Sequence, residues 1–152
     1  MKILMVCLGN ICRSPLAEGI LRKKALERNV DLTVDSCGTS SYHIDSPPDP
    51  RSAGNAKING LDISSLRARQ FRKDDFENFD RIYVMDHSNF NDITYLAEND
   101  EQLKKVKLIL NELEPGSNKA VPDPYFGEED GFQTVYDLLD KACDKILDDL
   151  ER

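Results

Sequence analysis

Short apolar runs alternate along this chain with longer stretches of helical period. Ile3-Leu4-Met5-Val6 is apolar at every position, so residues 2–6 read as a strand covered on both faces. Over residues 15–28, Leu16, Ala17, Ile20, Leu21 and Ala25 fall on one helical stripe, and basic residues gather toward its end. A second strand is expected at 32–37. The run Ser46-Pro47-Pro48-Asp49-Pro50 then breaks regular structure, and Asp49 can cap a short helix that ends near Gly60. Residues 74–79 suggest a short helical turn, 81–85 a third strand, 88–97 a helix and 106–110 a fourth strand. The last element, 132–150, has the clearest amphipathic period, with Val135, Tyr136, Leu139, Cys143, Ile146 and Leu150 directed to the core. No internal repeat interrupts this order.

Buried strands separated by helices predict an α/β fold with parallel pairing and right-handed crossovers. Sheets of that kind carry their sites at the carboxyl ends of the strands. Cys7, Ser36 and Asp86 all fall at such ends.

Composition narrows the class. At 152 residues with 39% hydrophobic content, the chain is expected to form one domain, 1–152, with a substantial core. A formal charge of −8 argues against nucleic-acid binding. No apolar run approaches the length of a membrane-spanning helix. The first eight residues are too short for a signal-peptide core and lack a cleavage pattern. Four cysteines in such a chain point to reduced thiols and a cytoplasmic home. Two distant histidines give no metal spacing, so no metal site is expected.

The chemistry concentrates in Val6-Cys7-Leu8-Gly9-Asn10-Ile11-Cys12-Arg13-Ser14-Pro15. This segment joins the first strand to the first helix, a junction that aims backbone N–H groups and a helix N-terminus at one point. An anion site of that kind favours a thiol as its thiolate. Arg13, closing the loop, can grip two phosphate oxygens at once. Gly9 permits close backbone approach, and Asn10 tolerates a left-handed conformation. Ser14 is expected as the helix N-cap, with Pro15 in the first helical position. These parts suit an enzyme that takes a phosphoryl group onto Cys7. The leaving oxygen must then be protonated. Two aspartates sit between prolines, Asp49 and Asp123, and chemistry alone leaves the choice between them open.

Cys-Leu-Gly-Asn-Ile-Cys-Arg-Ser-Pro resembles the signature of the low-molecular-weight protein tyrosine phosphatases. Residues 34–40 (Val-Asp-Ser-Cys-Gly-Thr-Ser) resemble that family's second-strand segment. Residues 121–127 (Val-Pro-Asp-Pro-Tyr-Phe-Gly) resemble its general-acid loop, and Met85-Asp86 also fits. The resemblance implies a four-stranded parallel sheet with helices on both faces, and a phosphotyrosine-protein phosphatase that uses no cofactor. It implies Cys7 as nucleophile, Arg13 as phosphate clamp and Asp123 as general acid and then base. Leu8, Gly9, Asn10, Ile11, Cys12 and Ser14 would form the phosphate loop. Ser14 would donate to the Cys7 sulfur, and Asn10 and Ser36 would hold the loop in shape. Tyr42, His43, Tyr125 and Phe126 would wall the substrate pocket.

Two activities on the same fold compete with this one. A phosphoarginine phosphatase typically has threonine before the second loop cysteine, whereas this chain has Ile11. An arsenate reductase needs a further cysteine pair near mid-chain, and positions 38 to 142 contain none. Cys12, close to Cys7 in sequence, is expected to capture an oxidised Cys7 as a disulfide. Arg67, Arg69, Arg72 and Lys73 read as a solvated basic face, and Cys37 and Cys143 as buried apolar residues. Oligomeric state is not encoded legibly.

Overall fold

The computed structural model describes residues 1–127 and 130–151. Four strands, β1 (Lys2–Cys7), β2 (Thr33–Gly38), β3 (Arg81–Val84) and β4 (Val106–Leu108), form one sheet in the order β2-β1-β3-β4. All three pairings are parallel, with Cys7 opposite Gly38 and Val6 opposite Val84.

The alternation of β1 explains the layering. Ile3, Met5 and Cys7 pack on one face against α1 (Arg13–Glu27) and α6 (Asp130–Leu150). Leu4 and Val6 face the other way, into Phe71, Phe76, Ile82, Ile93 and Val106. That second layer includes α3 (Asp75–Asn78) and α4 (His87–Leu96), with α5 (Asp100–Lys105) beside them. The whole predicted stripe of α1 is buried. On α6, Val135, Leu139, Cys143 and Ile146 are buried, while Tyr136 and Leu150 are partly covered.

Several boundaries differ from expectation for local reasons. Helix α1 starts at Arg13, two residues early, and its N-cap position is Cys12, which makes no side-chain capping bond. Ser14 therefore lies inside the first turn and is not the cap. The fourth strand stops at Leu108, where Ile109–Glu112 tightens into a 3₁₀ turn. Helix α5 was not anticipated. It is only six residues long, with Asn99 accepting from the Gln102 amide as its cap. Helix α2 (Pro50–Ile58) begins as expected, Asp49 accepting from the Arg51 amide, and Gly60 follows it at φ 83°, a left-handed conformation that glycine adopts without strain.

Arg69 departs from the solvated face. It pairs with Asp35 and Asp75 at 3.0 Å each, and only Arg67, Arg72 and Lys73 stay exposed. Cys37 and Cys143 are fully buried. Among the described residues no helix is long and apolar enough to cross a membrane.

Candidate active site

The loop after β1 is held by backbone bonds from Thr39, Ser40 and Asp49 to the Cys7, Leu8 and Ile11 carbonyls, and by side chains that reinforce them. Asn10 sits at φ 57°, the left-handed turn expected of it. Its amide N–H donates to Cys7 Sγ at 3.3 Å. Its side-chain Nδ2 donates to Ser14 Oγ at 2.7 Å and Ser36 Oγ at 2.9 Å. Its Oδ1 accepts from the Arg69 amide at 3.0 Å. One asparagine thus ties the loop to α1, to β2 and to the segment beyond α2. Ser36 passes the chain on, donating to Glu18 Oε1 at 2.6 Å, and Glu18 is held from its far side by Arg22. Burial pushes the Glu18 carboxyl up, while Ser36 and Arg22 oppose that shift.

Ser14 Oγ lies 3.0 Å from Cys7 Sγ and 3.3 Å from the Cys37 carbonyl. Because Asn10 already donates to it, its single proton is free for one of these two. A thiolate at Cys7 would take that proton and the Asn10 N–H together. The serine expected to cap the helix therefore sits against the sulfur.

Gly38 was not singled out in the sequence, yet the loop depends on it. A Cβ there would stand 2.7 Å from the Leu8 carbonyl oxygen and 3.1 Å from the Gly9 carbonyl carbon. Only glycine lets the loop after β1 lie across the end of β2. Gly9 is similarly close to a neighbour, with 3.0 Å between its ideal Cβ and His43 Cδ2.

Arg13 is buried at the start of α1. Its Nη1 donates to Asp86 Oδ2 at 2.7 Å and to the Val121 carbonyl at 2.9 Å, and its Nη2 lies 3.5 Å from Asp123 Oδ2. Asp86 does two jobs, since its other oxygen caps α4 through the Asn89 amide. Sequence reading placed Asp86 at a strand end but missed this pair. The signal was available, because an acid at a parallel strand end beside a candidate anion site is a natural partner for the arginine.

Asp123 reaches the site from the loop before α6. Its Oδ1 accepts from the Tyr125 amide at 3.0 Å, opening a 3₁₀ turn over Pro124–Phe126. Asp49 instead accepts a fork from Arg51 and caps α2, so the two proline-flanked acids stand in different places, Asp123 alone of the two lining the pocket with Arg13. The Arg51 contact holds Asp49 below the usual carboxylate range.

One pocket of about 150 Å³ gathers Cys7, Leu8, Gly9, Ile11, Cys12, Arg13, Ser40, Tyr42, His43, Asp123 and Tyr125. Tyr42 stands at its mouth, 83% exposed, while the His43 and Tyr125 rings approach to 6.3 Å. Asn10, Ser14 and Ser36 lie behind the loop. The Phe126 side chain lies outside the described residues. Ser40 was not anticipated. The Cys12 thiol is buried, and that burial, reinforced by Asp49, pushes its pKa up. Among the described residues no group of three or more His, Cys, Asp or Glu gathers as metal ligands.

Residues 2–152 match the family described as low molecular weight phosphotyrosine protein phosphatase. The chain is 44% identical to the protein of that name from Schizosaccharomyces pombe, covering 89% of this chain and 87% of that protein. It is 38% identical to the one from Homo sapiens, covering 97% and 94%. Among solved structures, a protein tyrosine phosphatase from Entamoeba histolytica superposes with a TM-score of 0.92 at 36% identity, covering 99% of this chain and 97% of that one. A drosophila arginine phosphatase superposes equally well, TM-score 0.92, at 31% identity and 100% and 99% coverage.

Proposed function

The chain belongs to the low molecular weight phosphotyrosine protein phosphatase family, and we propose that it hydrolyses phosphotyrosine monoesters of proteins through a phosphoenzyme on Cys7. One observation carries the residue assignments. The Cys7 sulfur, the Arg13 guanidinium and the Asp123 carboxylate line the same pocket, joined by the 3.5 Å contact between Arg13 and Asp123.

The chemistry follows from these positions. The phosphate enters the loop beneath Arg13, whose orientation Asp86 fixes. The Cys7 thiolate attacks phosphorus, an S–P bond forms and the P–O bond to the phenol breaks. Asp123 gives its proton to the departing oxygen. A water then attacks phosphorus and yields its proton to the Asp123 carboxylate. Cys7 leaves as thiolate, stabilised by the Asn10 N–H and the Ser14 hydroxyl, and inorganic phosphate is released. No cofactor enters either step. Four free cysteines suit a reducing compartment such as the cytoplasm.

Substrate choice rests on depth and on aromatic walls. With Tyr42, His43 and Tyr125 around the mouth, phosphorus reaches Cys7 only from the end of a long flat side chain. Phosphoserine and phosphothreonine are too short. Phosphoarginine has the reach, and the likeness to an arginine phosphatase makes it the serious competitor. Ile11 lines the pocket but offers no hydroxyl to a guanidinium. We expect kcat/KM for phosphotyrosine peptides to exceed that for the other three by at least about tenfold, equivalent to about 1.4 kcal/mol in transition-state binding. Ile11→Thr should narrow the gap to phosphoarginine. Equal or faster turnover of phosphoarginine by the unaltered protein would reassign the substrate and leave the roles of Cys7, Arg13 and Asp123 intact.

A further inference from the structure

The start of α2 touches both halves of the pocket. On one side it is bonded to the phosphate loop, where the Asp49 amide donates to the Ile11 carbonyl at 2.8 Å and the Ser52 hydroxyl to the Cys12 carbonyl at 3.2 Å. On the other side it reaches the acid loop through Arg51. Arg51 Nε and Nη2 grip Asp49 at 3.1 and 3.0 Å, a bidentate fork that fixes the guanidinium plane. The same Nη2 donates to the Tyr125 carbonyl at 3.2 Å. The guanidinium also lies 5.5 Å from the Tyr125 ring centre and 4.9 Å from that of Phe132.

Tyr125 is therefore held at both ends of its backbone. Its N–H goes to the Asp123 carboxylate and its carbonyl to Arg51. We propose that Arg51 is a positioning residue for the acid–base step: through Tyr125 it sets the Asp123 carboxyl at a fixed offset from the Cys7 loop, using Asp49 as the anchor. This rests on the reading of Asp123 as acid and base. An arginine is required because one planar fork must serve the anchor and the tether together. Lysine, a point charge, can serve either contact but lacks the geometry for both.

The test measures kcat/KM, which reports steps through formation of the phosphoenzyme, over a series of aryl and alkyl phosphates of increasing leaving-group pKa. Arg51→Met should lose about 10- to 100-fold with the poorest leaving groups, the penalty of a displaced catalytic group. With an activated aryl phosphate, which needs little protonation, the loss should stay within about threefold. Vanadate affinity should be unchanged within about twofold, because the Cys7 loop keeps its own bonds. In an Asp123→Asn background the Arg51 change should add no more than about twofold, since the group it positions is already gone. Arg51→Lys should resemble Arg51→Met.

A loss of equal size across the series, a parallel loss of vanadate affinity, full multiplication with Asp123→Asn, or full rescue by lysine would each overturn the proposal. If Asp123→Asn is steep across the series while Arg51→Met is flat, the acid assignment stands and Arg51 is merely structural. If Asp123→Asn is itself flat, the acid assignment falls and the Arg51 proposal with it.

Discussion

The two loops that meet over Cys7 are built in opposite ways. The phosphate loop is buried from Asn10 through Ser14, although Leu8 is exposed, and Asn10 alone makes three side-chain bonds to three different segments. The acid loop lies over it with Asp123 28% exposed, and among the described residues its tethers include the Met85–Val121 backbone bond, Arg13 on the Val121 carbonyl and on Asp123, and Arg51 on the Tyr125 carbonyl. The difference follows from what each must do. A nucleophile and its anion cradle work best when no reorganisation accompanies the reaction. The acid must share its edge of the pocket with an entering side chain, so a few tethers suit it better than a packed core.

The sharpest way to break this contrast is at the sulfur. Cys7→Ser should show no measurable turnover and still bind phosphate or vanadate, because the cradle survives. Residual turnover in a clean preparation would remove Cys7 as nucleophile. Arg13→Ala should lose anion binding together with rate, since the guanidinium is part of the cradle.

Next in size is the acid loop. Asp123→Asn should slow poorly activated phosphates by about 100- to 10,000-fold, with a smaller loss for an activated leaving group. A uniform loss across both substrates would mean that the two loops differ in packing but not in role.

Asn10→Ala probes the tied loop as structure. Two buried hydrogen bonds and one part-buried, at about 1 kcal/mol each, and a left-handed alanine costing about another 1 kcal/mol, predict a stability loss of about 3–4 kcal/mol in denaturant titrations. A loss under about 1 kcal/mol would show that the cradle holds without its asparagine.

Cys12 shares the loop but not the chemistry. Burial keeps it in the thiol form, so iodoacetamide at neutral pH should modify Cys7 and spare it. Peroxide should inactivate the enzyme reversibly with a Cys7–Cys12 bond visible by mass spectrometry, and Cys12→Ser should stay active but lose that recovery. An intact Cys12 thiol in the oxidised, recoverable enzyme would exclude this route.

The smallest effect is at Asp49. Asn keeps the cap and one contact to Arg51, so Asp49→Asn should cost about 0.5–1 kcal/mol at neutral pH, and its loss of activity should be confined to poor leaving groups and stay below that of Arg51→Met. The sign with pH is definite. A carboxyl lowered on folding stabilises the native state above its unfolded pKa, and that contribution disappears as pH falls through its folded value. The stability gap between the two proteins should therefore close below about pH 4.

Much of this molecule was legible in one dimension. Four apolar runs, a helical stripe at Leu16, Ala17, Ile20, Leu21 and Ala25, and turn residues between them marked the four strands, the principal helices and the parallel pairing, though not α5, because burial on one or both faces writes its period into the chain. The Cys7–Arg13 segment read as a candidate anion site for a similar reason, since loop, glycine, asparagine and helix start are contiguous. Other features were decided only by distance in space. Ser14 looks like a cap, but the contact with Cys7 Sγ exists only once the loop curls back on itself. Asp86, 73 residues from Arg13, becomes its partner because β1 and β3 are neighbours in the sheet. Gly38 is an ordinary strand-end glycine until the loop crosses it. Asp49 and Asp123 are indistinguishable as Pro-Asp-Pro, and the tertiary fold separates them by placing one at the N-cap of α2 and the other beside Arg13. Local sequence sets backbone preference and burial period, whereas a side chain's chemical role depends on which groups share its few ångströms of space, and those come from distant parts of the chain.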